Sequence, residues 1–452
     1  MQTSFTPEQL QQPDIAAANA ELRKCVHCGF CMATCPTYLI SGDELEAPRG
    51  RVYLIKTLLE ENKEPAREVL AHLDRCLTCL SCTTTCPSGV GYDTLIDIAR
   101  RRTARARSRP LARRLARQAL LATVPWRGRL RLAAGAGRLI APLARPVLAR
   151  SRHLRPFAAL LSMARAQRAQ RPLHGDYPPL ARGPGAGRRV ALLTGCAQAV
   201  FGRAISEASL HVLRMAGFHV VIAPRAGCCG AMEAHLGEHE RARARAAANV
   251  RAWAEAGAEA IVVDASGCAG TVKDYAELLA EDASLQEVAR RLPVHELSEL
   301  LASLTPRPAW RAPRPLRVMW HAPCSLTHHL RMADMPRQLL EEAGFEVSEP
   351  WEAHLCCGAG GANAVLEPEV AGTLRARKLE HLQQAGVEVI ASANFGCMQH
   401  LAQEARLPLL HYAQLLAWAA GGPDPLLHAR ARPSAAAATA GCAGGACGCG
   451  ER

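Results

Sequence analysis

Cysteine dominates the chemistry open to this chain. Eight of its 19 cysteines fall in two runs of one spelling, Cys25-x2-Cys28-x2-Cys31-x3-Cys35-Pro36 and Cys76-x2-Cys79-x2-Cys82-x3-Cys86-Pro87. A cube of iron and sulfide needs four soft thiolates at tetrahedral corners, and x2 turns let three of them converge on one cube. The fourth stands off by x3, before a proline that turns the chain away, and reaches the neighbouring cube. The pattern predicts two [4Fe–4S] clusters. Cys25, Cys28 and Cys31 with Cys86 would hold cluster 1, and Cys76, Cys79 and Cys82 with Cys35 would hold cluster 2. One such run would leave structural zinc or inert buried cysteine open; two complete copies point to electron transfer.

A second set of cysteines recurs further on. Cys196, then 31 residues, Cys228-Cys229-Gly230, then 37 residues and Cys268 is followed by Cys324, 31 residues, Cys356-Cys357-Gly358, 38 residues and Cys397. The text between them repeats too: Ala216-Gly217-Phe218-His219-Val220 echoes Ala343-Gly344-Phe345-Glu346-Val347. This is an internal duplication of about 128 residues. Each copy offers four candidate thiolates, which could hold a further cluster or zinc or stay reduced for packing and docking. His321, His328, His329 and His354 lie nearby, most of them read as solvated surface groups.

These cysteines need elements to position them. In the first copy, apolar runs at Val190–Thr194, Val220–Ala223 and Ile261–Asp264 alternate with helical patterns at Ser206–Ala216 and Glu240–Ala256. Such alternation predicts a parallel sheet covered on both faces, with the cysteines just past the strands' carboxyl ends. The two N-terminal runs are separated by 40 residues, Pro36 to Arg75, with helical periodicity at Val52, Ile55, Leu58 and Leu59. The expected architecture is therefore multidomain α plus α/β: an α-helical two-cluster ferredoxin domain at 1–99, an Arg-rich amphipathic helical segment and linker at 100–187, and a duplicated α/β Cys-Cys-Gly pair at 188–305 and 314–420. A tail at 421–452, rich in Ala and Gly and carrying Cys442, Cys447 and Cys449, is expected to be disordered. The Pro48-Arg-Gly-Arg51 tetrapeptide reads as a helix start bearing surface charge, or as a partner contact.

The net charge of +13 is local. Arg100 to Arg171 holds 20 arginines and no Lys, Asp or Glu, leaving 34 basic against 41 acidic residues elsewhere. Pro110, Pro125, Pro142, Pro146 and Pro156 are expected to cut this segment into short amphipathic helices, which would meet an anionic membrane surface or an acidic partner subunit. Nucleic acid is not expected, because Trp126 and Phe157 are the segment's only aromatics. Met1–Ala20 lacks an apolar core and no run is long enough to span a bilayer, so the expected location is cytoplasmic, with a peripheral place on the inner membrane's cytoplasmic face. No Gly-x-Gly-x-x-Gly follows a strand, so no flavin is expected on this chain.

The segment Cys25-Val-His-Cys-Gly-Phe-Cys-Met-Ala-Thr-Cys-Pro-Thr-Tyr38, with Gly42-Asp43-Glu44 and Pro48-Arg-Gly-Arg-Val-Tyr-Leu-Ile55 behind it and two Cys-Cys-Gly repeats after it, resembles the iron–sulfur subunits of glycolate oxidase (glycolate dehydrogenase). The likeness runs from about Leu22 to Ala420. It implies a subunit of an oxidoreductase complex that has no catalytic residues of its own. Electrons would come from a flavoprotein partner that oxidises glycolate to glyoxylate and leave for a respiratory acceptor. Related chains serve lactate and glycerol-3-phosphate oxidation or act as heterodisulfide reductases. In reductase-like members each repeat closes on Cys-x-x-Cys, giving five cysteines that can hold a non-cubane cluster. Here that last position is Thr271 or His400, so each copy is one thiolate short of the pattern.

Overall fold

The computed structural model describes residues 1–151, 154–159 and 169–429. The N-terminal part is helical. Helix α1 (Pro13–Lys24) buries Ile15, Ala18 and Leu22, the i, i+3, i+7 stripe that a helix can pack. Helix α2 (Pro48–Glu61) starts on a proline and buries Val52, Ile55 and Leu59, and a left-handed Asn62 caps it. Helices α3 (Arg67–Asp74) and α4 (Tyr92–Thr103) add Leu73, Leu95, Ile96 and Ile98 to the same core. That core also takes in Cys76 and Cys82, so the second cysteine run is part of the packing. Arg51 departs from the expected surface charge. It is buried, and its guanidinium bonds Glu46 at 2.7 Å, the Thr37 hydroxyl at 3.1 Å and the His72 carbonyl at 2.8 Å. A buried cation persists only when its donors are matched in this way.

Helices α5 (Leu111–Thr123) and α6 (Arg127–Arg150) form the described part of the arginine-rich segment. Pro110 and Pro125 bound α5 as expected, but α6 runs straight through Pro142 and Pro146. Both prolines sit on its exposed side, where water can take the carbonyls left without partners.

The α/β body follows. The first sheet has β1 (Gly175–Tyr177), β2 (Arg189–Leu193), β3 (His219–Ile222), β4 (Ala260–Val263) and β5 (Val294–Glu296) in the order β1-β3-β2-β4-β5, parallel except for β1. Helices α7 (Arg203–Met215), α8 (His239–Glu255) and α9 (Ser266–Lys273) lie between its strands in sequence. The second sheet, β6 (Arg317–His321), β7 (Glu346–Ser348), β8 (Val389–Ser392) and β9 (Leu409–His411), is fully parallel in the order β7-β6-β8-β9. Its helices are α10 (Asp334–Glu342), α11 (Pro368–Leu382), α12 (Phe395–Leu401) and α13 (Tyr412–Ala419). The duplication reaches the register, since Val190 pairs with Ala260 as Val318 pairs with Val389. The stretch read as a linker supplies the edge strand β1, through Gly175 opposite Ile222 and Tyr177 opposite Val220. One apolar core joins the two copies, from Val190 and Val262 to Trp320 and Leu416. The fold class is thus a helical cluster domain followed by a paired α/β body. The tail beyond 429, with Cys442, Cys447 and Cys449, lies outside the described residues.

Candidate metal centres

Both N-terminal cysteine runs curl in the same way. Around the middle cysteine of each triplet the flanking residues are left-handed: His27 (φ 57°) and Gly29 (φ 84°) about Cys28, Thr78 (φ 52°) and Leu80 (φ 60°) about Cys79. For a leucine this costs roughly 1–2 kcal/mol. The same strain at matching positions of two loops marks a backbone shaped around something. Short helical turns follow at Phe30–Ala33 and Ser81–Thr85.

Cys25, Cys28 and Cys31 line one cavity together with Cys86 and Cys82 from the other run, walled by Pro48, Val52, Pro87, Val90 and Tyr92. Cys35 is an electrostatic neighbour of Cys79 and Cys82, and it shares the Arg51 guanidinium with Cys76. Its Sγ is 3.3 Å from the Thr37 hydroxyl and 3.6 Å from the Glu46 carbonyl. Burial pushes the Cys31 thiol up to about 11, and it pushes Cys79 and Cys82 well above the ordinary range, with neighbouring thiols adding to it. Cys76 departs from this pattern. Burial raises it, but the Arg51 and Arg100 guanidiniums together outweigh burial and hold it low, and Tyr92 donates its hydroxyl to Sγ at 3.6 Å. Eight thiols converging from both runs, most of them shielded from water, suit a positively charged metal core that would take their protons' place, so the residues fit the iron–sulfur group.

The repeat cysteines gather where the strands end. Past β2, β3 and β4, the Cys196 and Cys228 thiols share a hydrogen bond, and Cys229 lies 3.0 Å from Cys268. Past β6, β7 and β8, Cys324 lies 4.0 Å from Cys356, while the Cys357 and Cys397 thiols share a hydrogen bond. His321, one of four histidines of which most were expected in solvent, is buried at the end of β6, within 4.8 Å of the Cys357 and Cys397 sulfurs. Its Nδ1 is 2.9 Å from the Ser392 hydroxyl, and burial pushes it down to about 3. Of the other three histidines, His329 and His354 are exposed, and His328 is half-buried with Nδ1 2.8 Å from the Thr84 hydroxyl. His400, in the missing-ligand position, is buried with Nε2 3.0 Å from the Ala371 carbonyl.

Sequence reasoning missed two further groups. Lys378 is fully buried beside Cys356, Cys357 and Cys397, its ammonium donating to the Glu352 and Ala353 carbonyls at 2.9 and 3.0 Å. Nothing in the helical pattern of α11 distinguishes it from a surface lysine. The second group is the contact between domains. Cys79 is an electrostatic neighbour of Cys324 and Cys356, and Leu77, Cys356 and Leu374 share a small apolar cluster with Cys79 and Cys324 at its edge. The Asn363 amide donates to the Asp74 and Cys76 carbonyls at 3.3 and 3.4 Å, locking this placement. The second cysteine run therefore abuts the second repeat.

Comparison with known proteins agrees with this layout. Residues 21–90 match the 4Fe-4S dicluster domain, and residues 190–273 and 318–402 each match the Cysteine-rich domain. Over 92% of its length the chain is 39% identical to the glycolate oxidase iron-sulfur subunit of Escherichia coli (strain K12), covering 98% of that protein. It is 29% identical over 89% of its length to a probable glycolate oxidase iron-sulfur subunit of Bacillus subtilis (strain 168), covering 94% of it. It is also 26% identical over 47% of its length to lactate utilization protein A of Geobacillus thermodenitrificans (strain NG80-2), covering 90% of that protein. A crystal structure of a hypothetical protein from Helicobacter pylori shares the fold, with a TM-score of 0.54 at 10% identity over 92% of this chain and 74% of that one. With the dicluster and Cys-Cys-Gly domains in the same order along nearly its whole length, the chain belongs to the glycolate oxidase iron–sulfur subunit family.

Proposed function

We propose that this chain carries electrons within a glycolate-oxidising complex, from a flavoprotein subunit that converts glycolate to glyoxylate to a respiratory acceptor. The observation that carries this reading is the order of the thiol groups: the first-run cavity opens at the surface through exposed Cys28, the second-run thiols lie inside, and the second-repeat thiols lie next to them. Bound clusters would supply one-electron redox chemistry at these stations.

The protein's own groups have definable parts in this. Cys25, Cys28, Cys31 and Cys86 hold cluster 1, and Cys76, Cys79, Cys82 and Cys35 hold cluster 2, supported by the cavity they line and by the position of Cys35. Arg51, Arg100 and Tyr92 offset negative charge at Cys76. The exposed side chains Val26 and Phe30 flanking Cys28, with Arg49 on the His27 carbonyl beside them, suit a partner that must bring its flavin close. Cys324, Cys356, Cys357 and Cys397 with His321 are the better placed of the two repeat groups for a further cluster or zinc, because buried Lys378 offsets their charge. Cys196, Cys228, Cys229 and Cys268 have Arg127 nearby instead. In this reading the complex sits in the cytoplasm against the inner membrane.

Affinity capture of the tagged chain from native extract tests it. The expected result is co-purification of flavoprotein subunits whose dye-linked activity needs glycolate. Activity only with lactate or glycerol 3-phosphate moves the substrate, and a chain that reduces disulfides without a flavoprotein overturns the reading. Iron analysis counts the stations: about eight atoms per chain for two cubes, about twelve to sixteen if the repeats also hold clusters.

A further inference from the structure

We infer that helix α6 is a lipid-facing element that lies flat on an anionic membrane surface. The inference rests on the membrane position proposed above and assigns it to one helix.

The arginine-rich segment divides into two halves with different roles. In the first half three of the arginines are internal, while Arg101, Arg102, Arg105, Arg107 and Arg114 are exposed. Arg100, Arg109 and Arg117 are buried, and Arg109 and Arg117 engage Asp74 and the Leu236 carbonyl. These cannot touch a membrane. Helix α6 has six arginines and no Asp, Glu or Lys in 24 residues. Its small residues Ala134, Gly137 and Ala141 are buried on one side, where the helix lies against α5 and the turn Ala197–Phe201. Its large apolar residues point away from the protein: Leu132, Leu139, Leu143 and Val147 are 77%, 81%, 82% and 62% exposed. At about 100° per residue these four fall within an arc of about 80°. Arg131, Arg138 and Arg145 fall in a second row between that stripe and the buried side, and among the described residues no carboxylate pairs with them. An aliphatic stripe on the outer face is the reverse of what a solvated helix presents.

Lipid fits this surface better than protein does. Interface cores between proteins draw on aromatic, Met and Arg side chains, whereas this stripe is purely aliphatic. A single-sign row of arginines along an apolar stripe matches an anionic headgroup layer above acyl chains, and long guanidinium side chains can reach the phosphates from the helix flank. At about 36 Å the helix is long, yet among the described residues no helix is apolar enough to cross a membrane. It would therefore lie along the surface. Pro142 and Pro146 on the outer side are compatible with this, because wet headgroups can satisfy the carbonyls they free.

Co-sedimentation of the intact, cluster-loaded chain with phosphatidylcholine–phosphatidylglycerol vesicles tests the inference. Binding is expected to be about tenfold or more stronger than to pure phosphatidylcholine and to fall with salt. L139E/L143E should lower it about tenfold or more with visible cluster absorption intact, while R225Q/R291Q, exposed arginines elsewhere, should leave it unchanged. R131Q/R138Q/R145Q should weaken binding and flatten its salt dependence. L143W guards against misfolding of the charged variant, since its added emission should shift to the blue with mixed vesicles. Unchanged binding by L139E/L143E, no shift for L143W, or loss of flavoprotein capture with vesicle binding intact would each overturn the inference; the last result makes α6 a protein-docking face. Iron content of the same preparations reports separately on electron transfer.

Discussion

Cys35 is the thiol on which the crossed ligand arrangement turns. By sequence it belongs with Cys31, but in space it neighbours Cys79 and Cys82 and shares the Arg51 guanidinium with Cys76, with Thr37 beside its sulfur. Cys35→Ser should therefore degrade the EPR signal of the second-run cluster and spare the other; damage confined to the first-run cluster would refute the assignment. The spacing made this arrangement legible, because x2 and x3 intervals are local geometry that the chain cannot hide. Residues whose roles come from distant partners were not legible. Lys378 looks like any helix lysine, and Arg51 reads as surface charge until Glu46, Thr37 and the His72 carbonyl are seen to close around it. The burial of His321 was out of reach for the same reason, since its partner Ser392 comes from a strand some seventy residues away.

At the scale of elements, Asp74 at the end of α3 does what no single helix pattern announces. It is buried, Arg109 grips it at 2.8 Å, and Arg113 and Arg117 stand at 3.4 and 3.9 Å. Arg113 also pairs with Glu367 before α11, and Arg117 reaches the Leu236 carbonyl after β3. This hub fastens the helical domain to both copies of the body. Burial alone would raise the Asp74 carboxyl, but the surrounding guanidiniums outweigh it and hold the carboxyl below the usual range. A depressed folded-state value gives stability that is present above the unfolded carboxylate value and lost as pH falls through the folded one. Asp74→Asn should cost about 3–5 kcal/mol, because three buried or half-buried cations lose their shared anion. Urea denaturation of the cluster-loaded chain at neutral pH should show that loss, and a midpoint within error of the parent would mean the hub is dispensable. The strands and helices read in the first repeat fall within three residues of their bounds, since continuous apolar runs and helical stripes are strong signals. The long α6 was not, because proline's cost depends on which side of the helix faces water.

The whole molecule is a duplication whose halves share one core, and Glu296 sits at their seam. It ends β5 of the first copy, fully buried, and accepts the Tyr412 hydroxyl of the second copy at 2.8 Å, with Ser298 on its other oxygen. Burial pushes its carboxyl up to about 7, against the pull of Ser298 and Tyr412. A value raised on folding contributes stability that is full below the unfolded carboxyl range, near 4.5, and drains away as pH rises through about 7. The seam between the copies should therefore loosen on the alkaline side, where an ionised Glu296 has no cation to meet it. Glu296→Gln keeps the shape and removes the titration. Thermal unfolding of the cluster-loaded chain under anaerobic conditions, followed from about pH 5.5 to pH 8.5, should show the parent losing stability through neutrality and the variant staying flatter over the same window. Buried His235 and His411, both pushed down to about 4 by burial, act in the opposite direction. They lose stability only as pH falls below their ordinary range, so they bend the acid limb of both proteins alike. Parallel curves for parent and variant through neutral pH would show that Glu296 stays ionised in the folded state, and that the seam is held by apolar packing alone.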